Sequence, residues 1–215
     1  MAKKLTSEEW WHGILTGENP AFPLRPIRNI LKLIPSGPRC KFCNAPFHGA
    51  GAPLMRLMGQ GPSRLTPQLC SQCHAHASRH LGGAEVELTM LFADIRGSTP
   101  LAEKMAPAEF GRLISRFFAT ASEVITNSQA LLDRLVGDQV IGLYIPGFAG
   151  AEHRALAIQA AQDLLHVTGH GPTTEPWIPV GIGVHTGVAF VGSVGNAGIA
   201  TDITCLLYTS DAADE

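Results

Sequence analysis

The stretch that most constrains the fold is Val86–Thr99, in which an apolar strand leads directly into the start of a helix. Apolar residues dominate up to Ile95 and predict a strand with one carboxylate, Asp94, near its end. Gly97 then interrupts the strand, and the Ser-Thr-Pro sequence after it is typical of a helix start. A carboxylate at a strand end beside a helix N-terminus can hold a hard cation next to a phosphate.

A second aspartate, Asp138, follows Gly137 in a short polar break between the apolar runs 130–136 and 140–145. Two apolar runs separated by such a dipeptide predict a β-hairpin. Each aspartate alone is equally typical of a strand-end cap or a turn residue. Together they predict two carboxylates that meet across adjacent strands, an arrangement that suits metal-assisted phosphoryl transfer.

Charge is divided unevenly along the chain. Residues 1–80 contain ten Lys/Arg and three Asp/Glu, a balance of +7, whereas residues 81–215 contain six and fifteen, a balance of −9. This division predicts two units with different roles. The basic half could contact nucleic acid or an acidic membrane, although a solvated basic surface is the ordinary interpretation.

The N-terminus does not have the apolar core of a signal peptide, because it is polar at Lys3-Lys4 and again at Ser7-Glu8-Glu9. No run approaches the ~20 consecutive apolar residues that span a bilayer. We therefore expect a cytoplasmic protein without a membrane segment. In a reducing compartment, paired cysteines are interpreted as metal ligands before disulfides.

Two Cys-x-x-Cys pairs lie in the basic half, Cys40 with Cys43 and Cys70 with Cys73. Four thiolates predict a closed tetrahedral zinc site with a structural role; an iron–sulfur centre is the alternative. Three histidines follow the second pair and could replace a cysteine, although with four thiolates we expect them to be exposed or to lie outside the ligands: His74, His76 and His80.

The region before the cysteines predicts two short helices. Residues 7–17 form an amphipathic segment that we expect to be capped by Ser7 and ended by Gly17, with Trp10 and Trp11 packing on the next segment. Residues 26–34 predict a short basic amphipathic helix. It could lie on anionic lipid, but two turns bind weakly, and packing is the favoured interpretation.

The acidic half predicts the element order β-α-β-β-α-β-β, which suits an α+β, ferredoxin-like layer with helices on one face of the sheet. After the strand at 86–95, the periodicities predict a helical turn at 100–105, a helix from 107, strands at 130–136 and 140–145, a helix at 152–166, and strands at 178–185 and 188–194 joined at Thr186-Gly187.

Three ordered motifs in residues 92–99, 133–138 and 183–187 resemble the class III nucleotide cyclase catalytic domain, and the resemblance runs over residues 84–204. The segment that contains the cysteines is similar to the zinc-ribbon-like region that precedes this domain in some bacterial members. The resemblance implies a cyclase domain of the βαββαβ type that acts on ATP, with GTP as the alternative, in intracellular signalling.

The resemblance also assigns roles to residues. Asp94 and Asp138 match the two motif aspartates that hold two Mg²⁺ or Mn²⁺ ions, and the carbonyl of Ile95 should join them. The backbone of Gly97, Ser98 and Thr99 would face phosphate oxygens. In the family the ribose 3′-oxygen attacks the α-phosphorus and pyrophosphate leaves. Family sites form between two subunits, which implies a homodimer.

The sequence departs from the family at the base-reading positions. Arg134 stands where adenylyl-specific members have a lysine, and its planar fork is larger and differently aimed. The partner position falls on Thr204, as in some bacterial adenylyl cyclases. The resemblance therefore favours ATP and cyclic AMP and leaves two alternatives open: a guanylate cyclase, or a catalytically silent regulatory protein.

Residues 205–215 resemble the in-frame translation of a transposon sequencing adapter, and we expect this tail not to be native. It replaces the family segment with the Asn and Arg that stabilise the transition state, so we expect the catalytic domain to be partial and the chain to have little activity. The predicted segments are a helical region (1–36), a four-cysteine zinc-binding region (37–82), the cyclase domain (84–204) and the tail. Nucleic acid is not an expected partner, because the basic half lacks a basic helix with interleaved aromatics.

Overall fold

The computed structural model describes residues 5–18, 28, 30–31, 33–34, 37–172, 175–194 and 202–207. The described helices and strands, in chain order, are α1 (Ser7–Thr16), α2 (Ala52–Leu57), α3 (Ser71–Arg79), β1 (Gly82–Ile95), α4 (Ser98–Glu103), α5 (Pro107–Asn127), β2 (Leu131–Val136), β3 (Gln139–Tyr144), α6 (Pro146–Ala149), α7 (His153–Val167), β4 (Val180–Val194) and β5 (Asp202–Leu207).

The five strands form one sheet in the order β2-β3-β1-β4-β5. Strand β1 pairs antiparallel with β3, β3 with β2, and β4 with β5. The first four strands and the helices between them follow the βαββαβ order, and their spatial order is that of a ferredoxin-like layer. The predicted α+β fold class is therefore confirmed, with β5 added at one edge.

The described residues divide into two compact units. The first contains the described parts of Met1–Leu88, Pro146–Phe148 and Gly187–Glu215, and the second contains those of Thr89–Ile145 and Ala149–Thr186. Strands β1 and β4 each contribute residues to both units. The compact units thus do not follow the chain order that the predicted segments follow, and those segment boundaries stay predictions.

The second unit has a continuous apolar core between its helices and the sheet. Helix α5, which the sequence predicted from residue 107, contributes Phe117, Ala121 and Ile125 at helical spacing. Tyr144 of β3 is fully buried in this core, and its hydroxyl pairs with the Ser128 hydroxyl at 2.7 Å. The sheet and α7 supply the remaining members of the cluster: Leu91, Ala93, Ile95, Ala130, Val140, Ala157, Ala160, Leu164, Ile178 and Val180.

Strand β4 corrects the sequence prediction, because it is one strand of 15 residues and contains no turn at Thr186-Gly187. Gly187 does not have the left-handed φ that several other glycines of the chain adopt. The Thr186 hydroxyl lies 2.8 Å from the Thr89 hydroxyl of β1. Pairing within the sheet therefore overrides the local turn preference of a Thr-Gly dipeptide.

Helix α1 corrects the predicted cap. Thr6, and not Ser7, is the N-cap, and it forms a reciprocal capping box with Glu9. The Ser7 hydroxyl instead donates to the Leu81 carbonyl. Gly17 ends the helix in a left-handed conformation, as predicted.

The N-terminal tryptophans are packed in the first unit, but their described contacts are with His76 and His80 and not with the segment that directly follows α1. Both are buried, and the Trp11 indole N–H donates to the His80 carbonyl at 2.7 Å. The Trp10 ring stacks on the His80 ring with centroids 4.1 Å apart. Of the predicted helix at 26–34, the structure describes residues 28, 30, 31, 33 and 34, and positions 28, 30 and 31 are helical.

Residues 205–207, the first three of the predicted tail, continue β5 opposite Val191, Phe190 and Ala189. The remaining tail lies outside the described residues, and its non-native origin stays a prediction. Within the part of the chain that the structure describes, no helix is both long and apolar enough to cross a membrane.

Candidate functional site

The two motif aspartates lie at the same end of two paired strands. In the antiparallel register of β1 and β3, Asp94 is opposite Gln139, which directly follows Asp138. Strands β2 and β3 close on a two-residue turn, since Val136 pairs with Gln139. Gly137 occupies the first turn position with φ of 61°, a conformation that favours glycine. The predicted hairpin is therefore present, and it brings Asp138 beside the end of β1.

The electrostatics of this corner show that the carboxylates interact. Burial raises the pKa of Asp94, and the neighbouring Asp138 raises it further, while a hydrogen bond from the Ile95 amide and the charge of Arg96 oppose the increase. Two close carboxylates repel each other unless a cation neutralises them. Hard oxygen donors of this kind suit Mg²⁺ or Mn²⁺, so the donor set fits the divalent ions that the sequence predicted.

Gly97 forms the junction between the strand and the next helix. It is the N-cap of α4 and adopts φ of 67°, in the left-handed region where a side chain is strained. Ser98 and Thr99 are the first residues of that helix, three and four positions beyond Ile95. The first N–H groups of a helix lack intrahelical partners, which leaves them available to an anion.

For the two base-reading positions, Arg134 and Thr204, the structure describes the backbone. A one-residue bulge in β2 falls between Leu132 and Leu135, so the backbone of Arg134 lies at an irregularity of the kind that re-aims side chains. Thr204 lies in β5 opposite Gly192, in the other compact unit. The side chains of both residues lie outside the described part of the chain.

Arg96 is a residue of this corner that sequence analysis did not single out. Its backbone N–H donates to the Pro179 carbonyl at 2.9 Å, which ties the end of β1 to the start of β4. Its guanidinium lies against Gly181, where any Cβ would collide with it. The available signal was its position two residues after Asp94, directly beyond the end of β1.

A buried polar network also escaped sequence analysis. The hydroxyl of Thr89 in β1 lies 2.8 Å from His153 Nδ1 of α7 and 2.8 Å from the hydroxyl of Thr186 in β4. Thr89 and His153 are buried, so these hydrogen bonds satisfy groups that would otherwise be costly to bury. The only signal was a threonine inside an apolar strand.

The four cysteines predicted as metal ligands come together in the first unit. The Sγ atoms of Cys40, Cys43, Cys70 and Cys73 all lie within 4.8 Å of one another, and none of these buried cysteines forms a disulfide. Cys43 Sγ and Cys70 Sγ are 3.8 Å apart. Tetrahedral zinc with Zn–S bonds of about 2.3 Å requires sulfur atoms about 3.8 Å apart, so the arrangement fits the metal.

Backbone N–H groups of the second cysteine pair donate hydrogen bonds to sulfur atoms of the cluster. The Cys70 amide donates to Cys40 Sγ at 3.2 Å, and the Cys73 amide donates to Cys70 Sγ at 3.4 Å. Hydrogen bonds from Cys40, Cys43 and Cys73 lower the pKa of the Cys70 thiol, whereas burial raises the pKa of the Cys40 thiol. A bound metal would keep all four cysteines as thiolates, because each thiol loses its proton when it binds the metal.

Arg28 hydrogen-bonds to the backbone between the two cysteines of the first pair. It is 6% exposed, and its guanidinium donates to the Phe42 carbonyl at 2.8 Å and to the Phe148 carbonyl at 2.9 Å. Burial lowers the pKa of Arg28, while Cys40 and the neighbouring thiols act to raise it. A buried cation beside four thiolates offsets part of their negative charge.

The histidines after the second pair do not join the cysteine cluster. His76 and His80 pack against the Trp10 ring, and His80 Nδ1 lies 3.0 Å from the His76 carbonyl. The metal-ligand group found among the described residues contains the four cysteines alone. The expectation that the histidines lie outside the ligand set agrees with this geometry.

Comparison with known proteins identifies the family. The family described as "Adenylate and Guanylate cyclase catalytic domain" matches residues 84–204, more than half of the chain. The chain belongs to this family. The solved structure of the adenylyl cyclase CyaB from P. aeruginosa superposes with a TM-score of 0.50 at 24% identity, covering 60% of this chain and 69% of that one, which supports the shared fold.

Two curated relatives extend the comparison. An adenylate cyclase of Anabaena cylindrica is 35% identical over 112 residues, and adenylate cyclase 1 of Rhizobium meliloti is 30% identical over 126 residues. These matches cover 50% and 55% of this chain but only 22% and 19% of the relatives. The chain therefore spans about a fifth of the length of these curated relatives.

Proposed function

We propose that the parent protein is a class III adenylate cyclase that converts ATP to 3′,5′-cyclic AMP and pyrophosphate. The observation that supports this best is the corner formed by Asp94 and Asp138, which the register of β1 and β3 brings together, since Asp94 is opposite Gln139. That corner lies within a domain of the cyclase family, and the relatives named above are adenylate cyclases.

In the proposed mechanism Asp94, Asp138 and the carbonyl of Ile95 would hold two Mg²⁺ or Mn²⁺ ions. When bound, these ions would lower the pKa of the ribose 3′-hydroxyl and neutralise charge on the triphosphate. The backbone N–H groups of Gly97, Ser98 and Thr99 orient phosphate oxygens at the start of α4. The aspartates thus fix the geometry of an in-line attack without forming a covalent bond themselves.

Arg134 and Thr204 are proposed to contact the purine. Arginine can donate to a purine acceptor, but it presents a planar fork where a lysine presents a point charge. The substitution at this position is the specific reason to retain two other candidates, a guanylate cyclase and a nucleotide-binding regulatory protein without chemistry. Nucleotide binding combined with an assay for cyclic AMP and cyclic GMP separates all three.

The four-cysteine cluster is proposed to hold one structural zinc ion. Its four thiolates would leave no open coordination position, so we assign it no step of the reaction. We further propose a cytoplasmic homodimer, because in this family the aspartates and the transition-state residues come from different subunits. Sedimentation of the chain with and without Mn²⁺ and ATP tests the dimer.

The test of the function begins with binding, which does not depend on turnover. We expect the 215-residue chain to bind Mn²⁺-ATP, and to bind Mn²⁺-GTP more weakly, in isothermal titration. Asp94→Asn and Asp138→Asn should each abolish the metal-dependent part of that binding. Equal affinity for ATP in EDTA and in Mn²⁺ would contradict the proposal.

Activity is measured in a second step. Cyclic AMP and cyclic GMP formation is followed in this chain and in a version extended through the family segment with the Asn and Arg. We expect little turnover from the former, since losing one electrostatic donor costs about 10²–10³ in rate. Cyclic AMP from the extended version confirms the adenylate cyclase, cyclic GMP the guanylate cyclase, and binding without either product the regulatory protein.

A further inference from the structure

The four-cysteine cluster lies inside a long stretch of one charge sign. From Asn19 to Ala84 the 66 residues include eight Lys/Arg and no Asp or Glu. Among the basic residues in the described part of this stretch, Arg56, Arg64 and Arg79 are exposed. Their positive charge is therefore not offset by any neighbouring acidic residue in the sequence.

Exposed aliphatic side chains are concentrated in the same stretch. Eleven large apolar residues are exposed in the described part of the chain, and seven of them fall within these 66 residues. Leu54, Leu57 and Met58 are 58%, 86% and 54% exposed, and Leu65 in the following loop is 62% exposed. Concentrated apolar exposure on a folded surface usually marks a contact site.

The exposed residues share one face of α2. Leu54, Leu57 and Met58 are spaced i, i+3 and i+4, which places them side by side on a helix and its C-cap. The opposite face of α2 buries Ala52 and Met55. The helix is thus anchored in the unit by one face, while its aliphatic face points to solvent. Arg56 lies on the anchored side, where its guanidinium donates to the Phe47 carbonyl at 3.2 Å.

We propose that this α2 face, made of Leu54, Leu57 and Met58, docks the protein on an anionic membrane surface. Aliphatic side chains enter the boundary between headgroups and acyl chains, and the exposed arginines of the same stretch attract anionic lipid headgroups. Neither signal is strong alone, but the two coincide here. The proposal concerns the first compact unit and does not depend on the cyclase reaction.

Two other partners fit the observations less well. Binding to single-stranded nucleic acid relies on exposed aromatic side chains that stack on bases, and the phenylalanines in the described part of the stretch, Phe42 and Phe47, are both buried. A second copy docked through the same face would bring like charges together, since a two-fold contact pairs a surface with itself. An anionic lipid surface attracts the basic residues and also accepts the aliphatic side chains.

The test is flotation of the full 215-residue chain with vesicles of phosphatidylcholine mixed with phosphatidylserine, compared with phosphatidylcholine alone. We expect binding to the anionic vesicles only, and its loss at high salt because surface charges are then screened. The double variant Leu54→Ser/Leu57→Ser should weaken binding at least tenfold, and Arg64→Gln about fivefold.

Matched controls lie in the other unit. Ile158→Ser on α7 removes an aliphatic side chain that is 52% exposed, and Arg112→Gln removes an exposed arginine of α5; neither should change vesicle binding. An unchanged unfolding temperature and metal content show that the variants are folded. The proposal is overturned by no vesicle binding, by equal binding to both vesicle types, by RNA binding in place of lipid, or by a dimer that the double variant dissociates.

Discussion

The surroundings of Asp94 act on its pKa in opposite directions. Burial and Asp138 favour its protonated form, whereas the Ile95 amide and Arg96 favour the carboxylate. Arg96 can act in this way because Gly181 leaves room for its guanidinium beside the strand. The residue that the sequence predicts as the main metal ligand is thus tuned by a neighbour that no motif assigns.

Replacing Asp138 with Asn removes a negative charge that faces Asp94. We expect the pKa of Asp94 to fall toward its ordinary value, and Mn²⁺ affinity to fall by more than about tenfold, since even an outer partner of a metal ligand can contribute this much. NMR titration of the carboxyl carbons and a Mn²⁺ titration measure the two effects. Asp163→Asn, an exposed change on α7, should alter neither.

The raised pKa of Asp94 also predicts how stability varies with pH in the metal-free protein. Since the folded state holds this proton more tightly than the unfolded state, the contribution of Asp94 is most favourable at low pH and is lost as pH rises through its folded pKa. Asp94→Asn should therefore unfold at a higher temperature than the parent at neutral pH without metal. We expect this advantage to shrink as pH falls; an advantage that grows toward acid would contradict the assignment.

At the scale of single elements, the sheet and α5 pack closely at one glycine. A Cβ at Gly142 of β3 would lie 2.7 Å from Cγ2 of Ile125. Gly142→Ala should therefore destabilise the fold by about 1–3 kcal/mol through overpacking. Gly183→Ala in β4 is the matched control, because nothing lies within 4 Å of its added Cβ, and it should be neutral or slightly stabilising.

Chemical denaturation measures both variants. If overpacking is the cause, the double variant Ile125→Ala/Gly142→Ala should lose less stability than the sum of the two single variants, because alanine lacks the Cγ2 that the added Cβ meets. If the losses in unfolding free energy of the two single variants simply add in the double variant, the loss at Gly142 comes from the backbone and not from the contact with Ile125.

Elements also show what sequence alone can predict. The β2–β3 hairpin and the amphipathic helix α5 follow from local signals, a Gly-Asp turn and a helical apolar period, and both were predicted. The continuity of β4 through Thr186-Gly187 was not predicted, because it depends on pairing with a neighbouring strand that is distant in sequence. The roles of Arg96, Thr89 and Arg28 depend in the same way on contacts between residues distant in sequence, which no local pattern encodes.

At the scale of the whole molecule, the four-cysteine cluster should determine whether the first unit is ordered. We expect about one zinc per chain by elemental analysis, lost in Cys43→Ser and in Cys70→Ser together with a lower unfolding temperature. Cys205→Ser, outside the cluster, should retain the metal. Visible absorption typical of iron and sulfide would replace zinc with an iron–sulfur centre.

The short helix α6 has a further consequence. Gly147 packs so closely on the backbone of Ile14 and Leu15 that a Cβ would collide with their carbonyls, and the Phe148 ring stacks on Phe42 at 4.8 Å. A segment inside the family domain is therefore completed by residues that precede it in the chain. Recombination at residue 83 would therefore separate α6 from the residues on which it packs, and we expect a cyclase domain transferred without residues 1–83 to leave the Phe148 ring exposed.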